Sequence, residues 1–234
     1  MGDIGSAFGE AANLILALDR TLYGIVLLSL QVSLTAVAAA TAIGLPLGAA
    51  LAIRRFPGRP VLLVTINALM GLPPVVAGLL VYLLLSRAGP LGTLGLLFTP
   101  TAMVFAQTIL VIPIVAGLSR QVLEDAWHEY EEQLRSLGAT PAAAAATLLW
   151  DTRHSLVTVV LAGFGRAAAE VGAVMIVGGN IDGVTRVMTT TISLEASKGD
   201  LPLALGLGII LVAVVFAINA AAQIIKSAAV RRYG

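Results

Sequence analysis

Residues 155–179 read SLVTVVLAGFGRAAAEVGAVMIVGG, and this stretch decides what kind of protein the chain is. As a helix it is long enough to cross a bilayer, whose hydrocarbon core takes about 20 apolar residues. Its only charges are Arg166, near the middle, and Glu170, one helical turn further on. A charge at that depth costs about 2.5–3.5 kcal/mol on insertion scales and is kept where it faces protein or a water-filled path. At this spacing the two side chains share a face of the expected helix and partly neutralise each other. A membrane protein with a polar stripe inside one span is a candidate for moving something across the membrane.

The rest of the chain has the same character. Hydrophobic residues make up 58% of the 234 and charged residues only 12%, and the mean hydropathy is +0.96. Residues 21–53, 60–86, 88–119 and 201–225 contain no Asp, Glu, Lys or Arg at all. With 155–179 they make five expected spans, and no length remains for a separate soluble domain. The fold class is therefore all-α, a membrane protein of five transmembrane helices. It divides into an N-terminal extracytoplasmic segment, 1–20, and a transmembrane domain, 21–234, which includes a polar cytoplasmic stretch at 120–154. In the first segment Ile4, Phe8, Ala11, Ile15 and Leu18 recur at helical spacing, which fits either a short interfacial helix or a frayed terminus without function. Asp3, Glu10 and Asp19 precede the first basic residue, so the segment does not read as a secretory signal.

The distribution of basic residues sets the orientation. With the amino terminus outside, the cytoplasmic segments hold Arg54, Arg55, Arg59, Arg120, Arg135, Arg153, Lys226, Arg231 and Arg232. The outside segments hold only Arg20, Arg87, Arg186 and Lys198. That excess satisfies the positive-inside bias and places the carboxyl terminus in the cytoplasm of a cell whose plasma (inner) membrane the chain crosses. Cysteine is absent, which excludes disulfides and thiolate metal sites, and no metal site is expected.

Breaks are also legible. Residues 22–53 as one helix would reach about 48 Å, so Gly44 and Pro46 are expected to mark a kink or the point where the helix leaves the membrane. Gly71-Leu72-Pro73-Pro74 interrupts the second span inside the bilayer, either as a packing kink or as part of a conduction path. Span three is expected from about Thr99 to Leu118, with Gln107 as its one strongly polar residue. Asn180 to Asp200 reads as a polar outside loop. On the cytoplasmic side Glu129 to Leu137 reads as a helix stopped by Gly138. Thr140 then caps a second helix, with Pro141 at its first position, that runs to Trp150.

That helix–glycine–helix elbow resembles the EAA loop of ATP-binding-cassette importer permeases. Glu132 stands six positions before Gly138, and Leu137-Gly138-Ala139-Thr140 matches the run around the family's glycine. The resemblance extends from about Leu22 to Ile225 and is to the five-span, MetI-like core of molybdate- and methionine-type permeases. Within that group it is closest to tungstate permeases. Gly71-Leu72-Pro73-Pro74-Val75-Val76, Tyr82 to Arg87, Gly165 to Ala173 and Gly178-Gly179-Asn180-Ile181 carry it.

What the resemblance implies is a permease subunit importing a tetrahedral oxyanion (tungstate, or alternatively molybdate or sulfate) by alternating access between two copies of the chain. Its partners would be an ABC ATPase, an extracytoplasmic substrate-binding protein, a second copy of itself and membrane lipid, with no nucleic acid. Glu129, Glu132, Leu137, Gly138, Ala139 and Thr140 would form the ATPase-coupling site. Pro73, Pro74, Arg166, Glu170 and Asn180 would belong to the transport pathway. Arg166 and Glu170 remain open to two readings, a path-lining pair or an intramembrane clip that holds span four.

No catalytic residue is expected. The chain has no phosphate-binding loop, since Lys198 and Lys226 both lack the glycine context. ATP and Mg would therefore sit on the partner ATPase and this chain would carry no cofactor. An ion-driven secondary transporter also uses broken helices, but one acidic residue in the spans and no inverted repeat speak against it. An intramembrane hydrolase is excluded because His128 and His154 fall in the cytoplasmic stretch.

Overall fold

The computed structural model describes Gly9 and residues 20–233, and among them the regular structure is all helix. The interfacial helix expected over 1–20 lies outside the described residues apart from Gly9 and Arg20. The helices are α1 (Arg20–Ile53), α2 (Arg59–Met70), α3 (Pro74–Leu85), α4 (Pro100–Ser136), α5 (Pro141–Asp151), α6 (Arg153–Ala168), α7 (Gly172–Gly178), α8 (Met188–Lys198) and α9 (Leu201–Tyr233). Three of them, α1, α4 and α9, are each long and apolar enough to cross a membrane. The bent pairs α2–α3 and α6–α7 raise the number to five.

α1 and α4 form the central pair. Ala36, Ala40, Gly44, Gly48 and Ala52 repeat at every fourth position of α1, so they share one face. A small-residue stripe lets two membrane helices approach backbone to backbone. The approach is close enough that a Cβ on Gly48 would stand 2.1 Å from Ser119 Oγ and 2.9 Å from Ala116 O, and one on Gly44 would stand 2.9 Å from Val115 Cβ. These contacts give Gly44 and Gly48 a packing role beside the kink or membrane exit expected at Gly44 and Pro46. α1 runs unbroken through Pro46 to Ile53, and the glycines serve helix contact.

α4 also differs from expectation. It does not stop near Leu118 but continues to Ser136 as one 37-residue helix, about 55 Å long. The expected separate helix at Glu129–Leu137 is its last turns. No breaker intervenes after Ser119, and Arg120–Glu124 and Glu131–Arg135 pair along the helix surface. The 180–200 stretch is likewise not all loop. α8 occupies Met188–Lys198, with Met188, Thr189, Thr190 and Thr191 buried in its first turn.

The double-proline break is present and sharp, since α2 and α3 meet at 102°. Span four is broken as well. α6 ends at Ala168 and α7 starts at Gly172 with a bend of 58°. Arg166 therefore lies in the last turn of α6 and Glu170 in the break, not in one continuous helix. The local reason is chemical: the Glu170 carboxylate takes the backbone N–H of Ala173 at 2.9 Å, a side-chain cap that competes with helix continuation.

Candidate functional site

Several polar groups near the span-four break pair backbone that the break itself frees. Interrupting a helix in a bilayer frees backbone carbonyls and N–H groups that water cannot reach, so protein must pair them. Ala167 O accepts from Gln107 Nε2 at 3.1 Å and from Glu170 N at 3.1 Å. Glu170 O accepts from Thr189 Oγ1 at 2.7 Å, which explains why the first turn of α8 is buried. Ala173 N donates to Glu170 Oε1, and Glu170 Oε2 accepts from Arg166 Nη1 at 2.6 Å. Ser29 Oγ on α1 accepts from Met188 N at 2.8 Å and so holds α8 in place. A cavity of about 10 Å³, room for one water, lies among Ser33, Gln107, Glu170 and Thr189.

The ion pair is lopsided. The Glu170 side chain is 2% exposed and that of Arg166 is 30% exposed. The carboxylate is enclosed, with both oxygens bonded to protein. The guanidinium has five N–H donors, and Glu170 is its one hydrogen-bond partner among the described residues. Arg166 thus turns unused donors outward. Beside it, Gly165 and Ala168 of α6 and Ala169 just after it face Leu211, Val212, Val215, Phe216 and Asn219 of α9 across an open cleft of about 390 Å³.

The two helix breaks meet. Gly78 of α3 abuts Ala173 of α7, where an added Cβ would come to 2.7 Å of Ala173 Cα. A Cβ on Gly172 would stand 2.9 Å from Val75 Cγ2 and 3.8 Å from Glu170 Oε1. Val75, which follows the Pro73-Pro74 pair, therefore packs against Gly172, two residues beyond Glu170. Asn180 is not brought there. It follows Gly179 at the far end of α7, with φ 49°, a left-handed turn residue whose Oδ1 is buried without a partner.

At the cytoplasmic end Gly138 has φ +71°. Its N–H donates to Arg135 O and that of Ala139 to Leu134 O at 2.9 Å, the bond pattern by which a left-handed residue terminates a helix. Thr140 Oγ1 then accepts from Ala143 N at 3.2 Å and opens α5. Ala144 and Leu148 turn inward, packing near Leu123, Ala126 and Trp127. The opposite face is bare: Leu137 is 81% and Trp150 72% exposed, with Arg153 stacked on the Trp150 ring at 4.7 Å. Glu129 and Glu132 are exposed on the last turns of α4. The negative charge of Glu129, then that of Asp151, raises the Tyr130 phenol above its ordinary pKa and keeps it neutral.

Sequence reasoning noted Gln107 as a lone polar residue without assigning it a partner, and missed Thr189, Ser29 and the Thr185 hydroxyl that donates to Gly178 O at 2.6 Å. The available signal was a glutamine isolated in an apolar span and the Thr189-Thr190-Thr191 run.

Residues 44–234 match the family described as binding-protein-dependent transport system inner membrane component. The tungstate uptake system permease protein TupB of Peptoclostridium acidaminophilum is 42% identical over 217 residues, covering 93% of this chain and 95% of its own length. A probable anion ABC transporter permease protein of Haloferax volcanii is 43% identical over 85% of this chain and 88% of its own. The sulfate transport system permease protein CysW of Synechocystis is more distant, 30% identical over 82% of this chain and 72% of its own.

Proposed function

The chain belongs to the family of binding-protein-dependent transport system inner membrane components, and on that footing we propose that it is the membrane-spanning subunit of an ATP-driven importer of tungstate. An ABC ATPase and an extracytoplasmic binding protein are its partners. The ATPase supplies the ATP and Mg chemistry, and the amino terminus faces outside. Similarity to TupB over nearly the whole chain supports tungstate. Similarity to CysW supports sulfate as the second reading.

The observation that carries the mechanism is the uneven burial of the Arg166–Glu170 pair. A guanidinium with unused donors at bilayer depth is stable where it meets water, an anion or a second copy of the chain, not lipid. Its planar fork suits a tetrahedral oxyanion, which it can meet with two parallel hydrogen bonds. Glu170, bonded to the same group, tempers its affinity so that the anion can leave. Two copies facing each other across the α6–α9 cleft would enclose the path and cover the small residues beside Arg166.

The elbow supplies the drive. Leu137 and the outer face of α5 present an apolar knob to the ATPase, with Glu129 and Glu132 beside it. α4 joins that knob to the interior without a break, and Gln107 on the same helix holds Ala167 at the span-four break. Displacement at the elbow is thereby delivered to the place where the two broken spans meet. ATP binding opens the path outward, and hydrolysis resets the inward state.

The test is import into proteoliposomes that contain this chain with its ATPase and binding protein. ATP-dependent tungstate accumulation is expected, with molybdate and sulfate as competitors. Equal competition by sulfate would move the substrate to sulfate, and no uptake of any of the three would refute the reading.

A further inference from the structure

A cluster of three charges joins α2 to α4 between Gln107 and the elbow, and the proposed mechanism makes no use of it. Glu124 is its centre. Its Oε1 accepts from Arg59 Nη2 at 2.7 Å, its Oε2 is paired with Arg120 Nη1, and the three side chains are only 16–26% exposed. Arg59 is also the first residue of α2. It is placed there by the left-handed Gly58, at φ 89°. Its Nε donates to Leu51 O at 2.8 Å, one of the carbonyls left free at the end of α1. One carboxylate thus ties together the end of α1, the start of α2 and the stem that carries the elbow.

The other end of α2 is held to the same stem. A Cβ added to Gly117 of α4 would stand 2.8 Å from Met70 Sδ and 3.5 Å from Ile66 Cγ2. α2 is therefore strapped to α4 by charge at Arg59 and by close packing at Ile66 and Met70. Immediately beyond Met70 the chain turns through 102° into α3, which packs on α7 beside Glu170. With α2 held to α4 at both ends, Gly71–Pro73 is the bend that joins the stem to the path.

Resting on the reading that the elbow docks an ATPase, we propose that Glu124, with Arg59 and Arg120, is a coupling strut. It makes α2 move with α4, so that a push on the elbow reaches the Gly71–Pro73 joint instead of being lost as α2 slides along the stem. Glu124 is a positioning residue and contacts neither anion nor nucleotide. Arg is suited to this task because its fork can bond a carboxylate and a carbonyl at once.

The experiment compares ATP hydrolysis with anion import in proteoliposomes of the full complex. Glu124→Gln keeps the shape and removes the charge. The complex should assemble and hydrolyse ATP, while import per ATP falls about fivefold or more, the low end of coupling between distant sites. A second variant separates mechanics from folding. With no native cysteine in the chain, Arg59→Cys with Glu124→Cys can be joined by a short bis-maleimide. Import per ATP should be low before linking and regained after it. Unchanged import per ATP in Glu124→Gln would overturn the strut, as would a linked pair that stays as uncoupled as the unlinked one. Failure of the underlying reading shows elsewhere, because the unaltered complex would then hydrolyse ATP and import no oxyanion.

Discussion

Removing the two members of the Arg166–Glu170 pair one at a time should give unequal losses, because their surroundings are unequal. In Arg166→Met the Glu170 carboxylate, 2% exposed, keeps one bond, from Ala173 N, and loses its counter-charge. Stripping one partner from a buried ion pair costs about 3–5 kcal/mol. In Glu170→Gln the amide oxygen can still accept from Ala173 N, and Arg166, 30% exposed, can turn its charge outward. That loss is one charged hydrogen bond, about 1.5–3 kcal/mol. The fraction of monodisperse protein left after a temperature ramp in detergent, read by size-exclusion chromatography, should rank wild type above Glu170→Gln and Glu170→Gln above Arg166→Met. The double variant should regain most of the heat resistance, since no buried charge remains, yet import poorly, since the guanidinium is gone. Arg166→Met as heat-resistant as wild type would refute the burial argument. A double variant that imports like wild type would show that Arg166 holds the fold and does not meet the anion.

Three further outcomes are expected. Gly138→Val forces a β-branched residue to φ +71°, a strain of about 1–3 kcal/mol. It should leave membrane insertion intact while lowering ATPase association or anion-stimulated hydrolysis, and wild-type import would remove the elbow from the mechanism. Gly48→Ala drives a Cβ against Ser119 Oγ and Ala116 O and should cost about 1–3 kcal/mol by overpacking. Adding Ser119→Ala should return part of it, in the same heating assay. Single cysteines at Ser86 and Ser193 should label from outside intact cells and those at Ser136 and Ser227 only after permeabilisation, and outside labelling at Ser136 would reverse the orientation.

Much of the scaffold was legible because it is local. Apolar runs of spanning length mark α1, α4 and α9, and adjacent prolines break α2 from α3. A glycine followed by Thr140-Pro141 turns α4 into α5, since the preferences of those residues act within one turn of chain. The length of α1 is legible too, but the packing role of Gly44 and Gly48 is not, because they act in contact with Val115 and Ser119, residues far away in sequence. The span-four break was hidden for the same reason. A stretch as apolar as 155–179 favours one helix unless its freed backbone groups find partners. Those partners are Gln107, 60 residues earlier, and Thr189, 19 residues later. Tertiary compensation of this kind leaves no local pattern.

The compensation also sorts the polar residues of the spans by what they are for. Gln107 answers the carbonyl of Ala167, Thr189 answers that of Glu170, and Glu170 answers the N–H of Ala173. Each is accounted for by the broken backbone. Arg166 is not. Among the described residues its one hydrogen bond goes to a carboxylate that a neutral glutamine could replace at the Ala173 cap, so the fold could dispense with both charges together. A buried ion pair adds little stability over a well-packed neutral pair of similar size. A fold under no other demand therefore has no need to keep a guanidinium at bilayer depth, with donors turned away from its partner. The proposed transport role would use those donors, because a guanidinium can meet an anion with several oxygens through paired hydrogen bonds.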